Sequence, residues 1–357
     1  MHKMRAVIIV IILLTLAACG KKKAPEESPI VPESPLPPKV GLDAHEVIVF
    51  KSNREGDYRF YLMSPDGTNM RNLDPSMFPG GAQVDQFVWS AALDKFLFGV
   101  TSGSDSDIYT MDRNGGDVKN HSNTPMHAES DAVPSPDGKY IAYVAIDRDM
   151  DIFVIQTDGS ERLNLTQFPA REAFPSWSPD SKKVLFLSNR EGLPNVFVVD
   201  RDGSDLTNLS KGSGTDQSFS WSPDGRKILF QTDRDGNKEI YLMDPDGSDF
   251  QNLTNHENQD IEPIWSPDGK MIAFRSDRDG GWDLFVMQAD GTAVANLTNS
   301  PDVEERGIFW SPDSKRLIFT ANLGGQRDIF VVGVDGSLPV NITDNPADDS
   351  ALIWAGF

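Results

Sequence analysis

Acidic residues recur at one fixed position along most of the chain. Each lies five residues before a tryptophan, or before the proline that replaces it, and the set comprises Glu129, Glu172, Asp216, Asp260, Glu305 and Asp349, with Asp85 one residue late. Arginines recur at a second position, which comprises Arg54, Arg148, Arg190, Arg234 and Arg278. Such a pattern suits three kinds of chemistry: ion pairing, attraction of a cation or basic peptide, and general acid–base catalysis.

We favour ion pairing of each arginine with a carboxylate of its own or the next repeat, because guanidinium groups suit bidentate contact with carboxylates. The second and seventh repeats lack the arginine. Surplus negative charge is therefore expected on the arc formed by Asp85, Glu305 and Asp349. An enzyme should gain polar residues where its repeats diverge, whereas the divergent stretches here, 91–93 and 323–325, lose them. This difference favours binding over catalysis.

Other catalytic and metal-binding patterns are weak. No G-x-S-x-G motif is present, and the histidines downstream of residue 2 share no register: they are His45, His121, His127 and His256. A metal pair at His121 and His127 is the minor alternative to solvated loop residues. The Asp-rich stretches at 200–205 and 244–249 could present oxygens to calcium, but they lack the later bidentate Glu of an EF-hand loop. A hairpin turn explains them more simply. We therefore expect no cofactor, with calcium kept as the alternative.

The elements that position these residues are short strands in a repeat of about 44 residues. One copy reads FPSWSPDSKKVLFLSNREG and the next reads FSWSPDGRKILFQTDRDG. Uninterrupted apolar runs such as 184–187 indicate strands covered on both faces. Ser-Pro-Asp-Gly and Asp-x-Asp-Gly are typical of tight turns. Three hairpins per repeat give a four-stranded antiparallel sheet, which is the size of a propeller blade.

The register predicts seven such sheets. Six of the seven tryptophans lie at one position of the repeat, and Pro134 takes that position in the remaining copy. The residues at this position are Trp89, Pro134, Trp177, Trp221, Trp265, Trp310 and Trp354. The last Trp strand has nothing after it, and the first apolar run, at 47–50, has no Trp strand before it. Together they would complete one blade and close the ring. We therefore predict an all-β fold, a seven-bladed β-propeller of four-stranded blades over residues 46–357, closed by the C-terminal Trp strand joining the N-terminal strands.

The repeated phrase resembles the repeat of TolB-type propellers, which also recurs in relatives of prolyl oligopeptidase. The resemblance covers residues 46–357 and is strong in five repeats. It implies a bacterial envelope protein that binds other macromolecules through its propeller. It also implies that the Trp strand is the innermost strand of each blade, so that the acidic residues would ring one mouth of the central channel.

The N-terminal residues are typical of an export signal. Residues 1–18 carry Lys3 and Arg5, then an apolar run of residues 6–18 that is too short to cross a bilayer. Residues 16–19, Leu-Ala-Ala-Cys, resemble the lipobox of bacterial lipoproteins, and Cys19 is the chain's single cysteine. Residues 19–45 would then be a lipidated cysteine and a proline-rich tether. The sorting rule of bacterial lipoproteins depends on the residue directly after the cysteine, which here is Gly20. In a cell with two membranes, this rule would send the protein to the outer membrane, facing the periplasm.

The composition limits the partners. The net charge is −21, from 33 basic and 54 acidic residues. This charge repels phosphate backbones and argues against nucleic-acid binding. The sequence therefore predicts a monomeric envelope scaffold that binds a basic or neutral protein or peptide at the channel mouth. The alternative is a propeller enzyme, a polysaccharide lyase or glycan hydrolase, that draws acid and base from the carboxylates.

Overall fold

A computed structural model describes residues 46–73, 83–124, 128–212, 214–300, 303, 305–323 and 325–356. The predicted signal, Cys19 and the tether lie outside these residues, as do His45 and His127. Only the backbone is described for Gln83, Asp85 and Leu323. Within these ranges the secondary structure consists of 28 strands, so the fold is all-β as predicted. The described ranges include no helix long and apolar enough to cross a membrane.

The strands are of four types, which follow one another in each repeat. The Trp strands are β4 (Gln83–Ser90), β8 (Ala128–Pro134), β12 (Glu172–Trp177), β16 (Asp216–Trp221), β20 (Asp260–Trp265), β24 (Glu305–Trp310) and β28 (Asp349–Gly356). The second strands are β1 (Glu46–Glu55), β5 (Lys95–Ser102), β9 (Tyr140–Ile146), β13 (Lys183–Ser188), β17 (Ile228–Thr232), β21 (Met271–Ser276) and β25 (Arg316–Leu323).

The third and fourth strands complete each repeat. The third strands are β2 (Asp57–Met63), β6 (Asp105–Asp112), β10 (Met150–Gln156), β14 (Asn195–Asp200), β18 (Glu239–Met243), β22 (Asp283–Gln288) and β26 (Gln326–Gly333). The fourth strands, of two residues each, are β3 (Arg71–Asn72), β7 (Lys119–Asn120), β11 (Leu163–Asn164), β15 (Thr207–Asn208), β19 (Gln251–Asn252), β23 (Ala295–Asn296) and β27 (Val340–Asn341).

The strands pair in sequence order within each repeat. Four sheets of four antiparallel strands run β12 to β15, β16 to β19, β20 to β23 and β24 to β27. The repeats β4 to β7 and β8 to β11 form one eight-stranded sheet, because a parallel bridge joins Ser106 of β6 to Ala128 of β8. In the remaining sheet the C-terminal β28 pairs with β1, where Trp354 lies opposite Ile48. The two ends of the described chain therefore share one sheet.

A Ser-Pro-Asp-Gly turn links the Trp strand to the second strand in three repeats, at 135–138, 222–225 and 266–269. In the turn at 266–269, the Ser266 hydroxyl donates to Asp268 Oδ1 over 2.8 Å and accepts the Met271 amide over 2.9 Å. The Gly269 amide donates to the Ser266 carbonyl, and Gly269 adopts a φ of 70°, which favours glycine. The side chain of the serine thus takes over backbone bonds that the tight turn leaves unmade.

The tryptophans pack between consecutive repeats. Trp177 Nε1 donates to the Val133 carbonyl over 3.1 Å, and Trp310 Nε1 donates to the Ile264 carbonyl over 3.3 Å, in each case on the preceding Trp strand. Within each sheet, an aromatic side chain of the second strand lies beside one of the third, as in the stacked pair Phe186–Phe197. The core is therefore divided between aromatic pairs within the sheets and indole rings between them.

Replacing Trp221 with Ala is expected to lower the free energy of unfolding by roughly 3–5 kcal/mol, because the change removes a large ring from between two repeats. Trp221 is only 8% exposed and shares a buried cluster with Leu185 of the preceding repeat. Urea unfolding measures the loss. Leu338→Ala, at a residue 76% exposed, is the control and should cost less than about 0.5 kcal/mol. A comparably small loss in Trp221→Ala would contradict this packing.

Candidate functional site

The repeated carboxylates lie at one end of the sheets, which we call the carboxylate end. Each begins or nearly begins a Trp strand and lies opposite a small second-strand residue; the pairs are Asp349–Ser52, Glu129–Ala145, Glu172–Ser188, Asp216–Thr232, Asp260–Ser276 and Glu305–Ala321. All six carboxylates are buried, with at most 3% exposure. Ions held this far from water require compensating partners.

Four arginines supply that compensation within their own sheets. Arg54 pairs with Asp349 over 3.0 Å, Arg278 with Asp260 over 2.7 Å and Arg234 with Asp216 over 3.6 Å, and Arg190 pairs with Glu172. In each, Nε also donates to the hydroxyl of the residue two positions earlier, such as Ser52. The interpretation of these four arginines as ion-pair partners is confirmed.

The same four guanidinium groups lie over the aromatic pairs. The Arg54 guanidinium is 5.2 Å from the ring centre of Phe50 and 4.8 Å from that of Tyr61. Arg190, Arg234 and Arg278 lie 5.1–5.8 Å from both rings of the corresponding pairs. A cation over a desolvated aromatic face is stabilised electrostatically. Each arginine is therefore held by a carboxylate, a hydroxyl and two rings.

The third repeat reaches a similar arrangement by another route. Arg148 lies one residue later in its turn than the other arginines and is exposed. It forms no ion pair within the described ranges, which differs from the predicted pairing with a carboxylate. Arg162 instead lies 4.0 Å from the ring centre of Phe153 and donates to the Tyr143 hydroxyl. Burial raises the pKa of Glu129, and hydrogen bonds and the charge of Arg162 oppose that shift.

The expected arc of surplus charge is mostly absent. Asp349 is paired with Arg54. In the second repeat, the register places Val84 opposite Val100 at the ring position, and Asp85 lies opposite Gly99. The register therefore gives six carboxylates at this position, where seven were expected. The side chain of Asp85 lies outside the described part of the chain.

Glu305, like Glu129, forms no ion pair with an arginine among the described residues, and no arginine lies over its aromatic pair there. Oε1 accepts a hydrogen bond from the Ser300 hydroxyl, whereas Oε2 is buried and has no hydrogen-bond partner among the described residues. The same serine donates its amide to Asp283 of the preceding repeat over 2.7 Å. Burial raises the pKa of Glu305 to about 7, and the negative charge of Asp283 adds to the increase. Glu305 can therefore exchange a proton near neutral pH.

Polar side chains that the sequence pattern did not reveal join some of the later repeats. Gln231 and Thr320 directly follow the second-strand aromatic and are buried. Gln231 accepts the backbone amide of Glu262 and Thr320 accepts that of Ala351, each over 3.0 Å and each on the next Trp strand. Arg275, at the same position, instead pairs with Glu262 of its own sheet over 3.2 Å. The available signal was a polar residue within an otherwise apolar run. The contacts of Gln231 and Thr320 add hydrogen bonds between consecutive repeats.

A second missed feature is an exposed apolar surface, which we call the binding face: Ile146, Phe168, Phe174 and Leu193. Their exposed fractions are 42%, 41%, 58% and 46%. All four lie at or near the carboxylate end: Phe168 and Leu193 in loops, Ile146 at the end of strand β9 and Phe174 in strand β12. A cleft of about 520 Å³ runs beside Phe168 and is also lined by Met150 and the exposed Arg171.

The backbone contributes directly to this exposure. In β12 the pairing shifts between Ala173 and Ser176, and Phe174 adopts a φ of 57°, which is uncommon outside glycine. Such a bulge redirects a side chain that would otherwise follow the strand's alternation. Positive φ recurs three residues before the register position in six Trp strands: at Gln86, Asp131, Phe174, Ser218, Glu262 and Gly307. The sequence pattern did not reveal this bulge.

The described residues for which metal binding was the minor alternative have ordinary partners. His121 is buried, its Nε2 lies 2.8 Å from the Thr110 hydroxyl, and burial lowers its pKa to about 4. In the Asp-rich turns the carboxylates accept local donors: Asp202 binds the amide and hydroxyl of Ser204, and Asp246 does the same for Ser248. The described residues contain no group of three or more His, Cys, Asp or Glu that could hold a metal ion. These contacts support hairpin turns.

A family model and several solved structures resemble the chain. The model of the TolB beta propeller domain matches residues 132–258 and 220–308. A putative TolB from Agrobacterium tumefaciens is 20% identical, with a TM-score of 0.52 over 88% of this chain and 98% of that one. TolB from Acinetobacter baumannii is 19% identical, with a TM-score of 0.55 over 84% and 79%. No curated protein matches the chain.

An enzyme shares the fold as well. Oligogalacturonate lyase from Vibrio parahaemolyticus is 14% identical, with a TM-score of 0.67 over 81% of this chain and 86% of that one. At these identities the likeness concerns the fold alone. The same architecture supports unrelated functions, so the site itself must carry the functional argument.

Glu305→Gln is expected to remove part of the pH dependence of stability. Folding raises the pKa of Glu305 from 4.5 to about 7, so the unfolded chain releases this proton at lower pH than the folded protein does. The natural protein should therefore lose stability relative to the variant as the pH rises from about 5 to 8, by on the order of 2–3 kcal/mol. Urea unfolding at both pH values measures this. The exposed Glu257→Gln is the control, and identical pH profiles for all three proteins would contradict the assignment.

Proposed function

Because the chain is a TolB-like β-propeller repeat protein, we propose that it acts as an envelope scaffold that binds a protein or peptide at the carboxylate end of its propeller. The observation that carries this proposal is the binding face, where four large apolar side chains are exposed at or near the carboxylate end and one of them, Phe168, lines a cleft. Exposed apolar side chains at one end of a domain are typical of interaction sites.

We infer that the repeats form seven blades closed into one ring. The pairing of β28 with β1 supports closure, since it joins the last Trp strand to the first second strand. The contacts of β28 with both β24 and β4 also support it, because they place the C-terminal strand between the seventh and second repeats. In a closed ring each sheet would pack between two neighbouring sheets, which leaves only short, protected strand edges, and the channel would open at the carboxylate end.

The ring carboxylates have mainly a supporting role in this proposal. They are buried and four are neutralised by arginine, so they shape the carboxylate end more than they present charge to a partner. The other two within the described ranges, Glu129 and Glu305, form no ion pair with an arginine, although the charge of Arg162 acts on Glu129. The net charge of −21 nevertheless favours a basic or neutral partner over an acidic one.

The alternative is an enzyme that uses these carboxylates as acid and base. Burial beneath guanidinium groups disfavours this alternative, because a catalytic carboxylate must reach its substrate. Turnover of an envelope glycan by the purified domain, lost in Asp216→Asn, would support the enzyme and overturn the scaffold proposal.

Phe174→Ser combined with Leu193→Ser is expected to abolish capture of the partner by crosslinking in the native cells. Both side chains are about half exposed, so the melting temperature should change little. The matched control is Leu338→Ser, in the loop between β26 and β27, which should leave capture intact. A partner still captured by the double variant would exclude the binding face as its site.

The scaffold is also proposed to be held at the membrane by a lipid on Cys19, with residues 20–45 as the tether, facing the periplasm from the outer membrane where the cell has two membranes. Cys19→Ser is expected to abolish incorporation of labelled palmitate and to release the protein from the membrane fraction. The unchanged chain is the control. Continued labelling of the variant would show that the lipid is attached elsewhere.

A further inference from the structure

Two arginines beside the binding face have no partner for their guanidinium groups. Arg148 and Arg171 are exposed, and neither side chain forms a hydrogen bond, an ion pair or a ring contact in the described part of the chain. Every other described arginine has such a contact, and even Arg226, whose side chain is 85% exposed, pairs with Asp224. Because the net charge is −21, acidic side chains are plentiful. The absence of a partner therefore distinguishes these two arginines from the rest.

Both arginines lie next to exposed apolar residues of the binding face. Arg148 lies two residues after Ile146, and Arg171 lies three residues after Phe168. A parallel bridge between Met150 and Arg171 joins the two segments. The free guanidinium groups and the exposed apolar side chains therefore lie on neighbouring segments at the carboxylate end.

The cleft beside Phe168 is formed by these segments. Its volume is about 520 Å³, which is within the range of ligand-binding clefts. Phe168 and Met150 give it apolar surface, and Arg171 gives it a guanidinium group. The Arg171 amide donates to Asn189 Oδ1 over 2.9 Å, and the Arg171 carbonyl accepts the Asn189 amide over 3.4 Å. The base of the Arg171 side chain is thus held at a defined place in the wall of the cleft.

The charge at the cleft is more positive than that of the chain as a whole. The described lining includes Arg171, Arg190 and one acidic residue, Asp149. Arg190 pairs with Glu172, and Arg148 directly precedes Asp149 in the sequence. These three arginines and two acidic residues leave a charge of +1, whereas the chain carries −21. The protein as a whole repels acidic molecules, so an acidic group is favoured only where it reaches these arginines.

We propose that this cleft binds an acidic side chain of the partner polypeptide, with its carboxylate paired to Arg171 and an adjoining apolar side chain packed on Phe168 and Met150. The assignment rests on the proposed function, since it names a chemical feature of the partner. A guanidinium group donates two parallel hydrogen bonds to one carboxylate. Arg148 supplies a second positive charge nearby. The partner would be basic or neutral as a whole and would present one acidic residue next to an apolar one.

The test uses the pentapeptide acetyl-Ala-Phe-Glu-Leu-Ala-amide and the same peptide with glutamine or lysine in place of glutamate. Calorimetry on the purified chain at low salt should show the glutamate peptide binding at least about ten-fold more tightly than the glutamine peptide, because only the carboxylate forms an ion pair. The lysine peptide should bind most weakly. Equal binding of the glutamate and glutamine peptides, or no binding, would overturn the proposal. Tighter binding of an alginate trisaccharide would also overturn it, since that acidic glycan has no apolar side chain.

Charge variants of Arg171 separate the site from the fold. Arg171→Gln should weaken the glutamate peptide by about ten-fold, and Arg171→Glu should reverse the preference, so that the lysine peptide binds more tightly. The melting temperature should change little, because this side chain has no contact in the described part of the chain. Arg226→Gln, directly after the turn at 222–225, is the matched control and should bind as the natural protein does. An unchanged preference in Arg171→Glu would exclude this guanidinium group as the receptor.

Capture of the partner in the native cells distinguishes this proposal from the scaffold function. Capture should be lost in Arg171→Glu and retained in Arg226→Glu. Capture that is lost in the double variant of Phe174 and Leu193 but retained in Arg171→Glu would overturn the arginine site and leave the scaffold function intact. Capture retained in both would overturn both proposals.

Discussion

The carboxylate end depends on one costly interaction, the burial of an acidic side chain in six of the Trp strands. A buried carboxylate loses several kcal/mol of hydration free energy, which a well-placed cation and hydrogen bonds must offset. In four repeats, an arginine two residues beyond the second strand meets this need while lying over two aromatic rings. The requirement explains why carboxylate, hydroxyl, aromatic pair and arginine recur together.

The remaining repeats show other ways to satisfy or avoid the same requirement. The second replaces the buried ion with an apolar pair, Val84 and Val100. The third brings Arg162 from the loop before its fourth strand. The seventh keeps Glu305 without an arginine, and burial raises its pKa to about 7. Burial also raises the pKa of Glu172 and Asp216, where the arginines oppose the increase. Where repeats share one scaffold, these departures distinguish one repeat from another.

Much of the fold could be predicted because it follows from local patterns: two-sided apolar runs, turn residues and a constant register. The four arginine pairs followed from the same register. The roles predicted for Arg148 and Asp85 did not follow from it. Each lies one residue away from the repeated position, and a shift of one residue in a turn or strand changes which neighbour the side chain faces. The polar Gln231 was visible as a residue type, but its bond to the next Trp strand depends on how two repeats pack.

The sequence by itself determined the all-β class, the four-stranded repeat and the pairing of most arginines, since these depend on contacts within about 44 residues. Only the tertiary structure decided which buried carboxylates form no ion pair and which apolar residues are exposed. Ile146, Phe168, Phe174 and Leu193 come from separate segments, and Phe174 is turned outward by a bulge. Exposure depends on what neighbouring repeats cover, and a linear pattern does not contain that information.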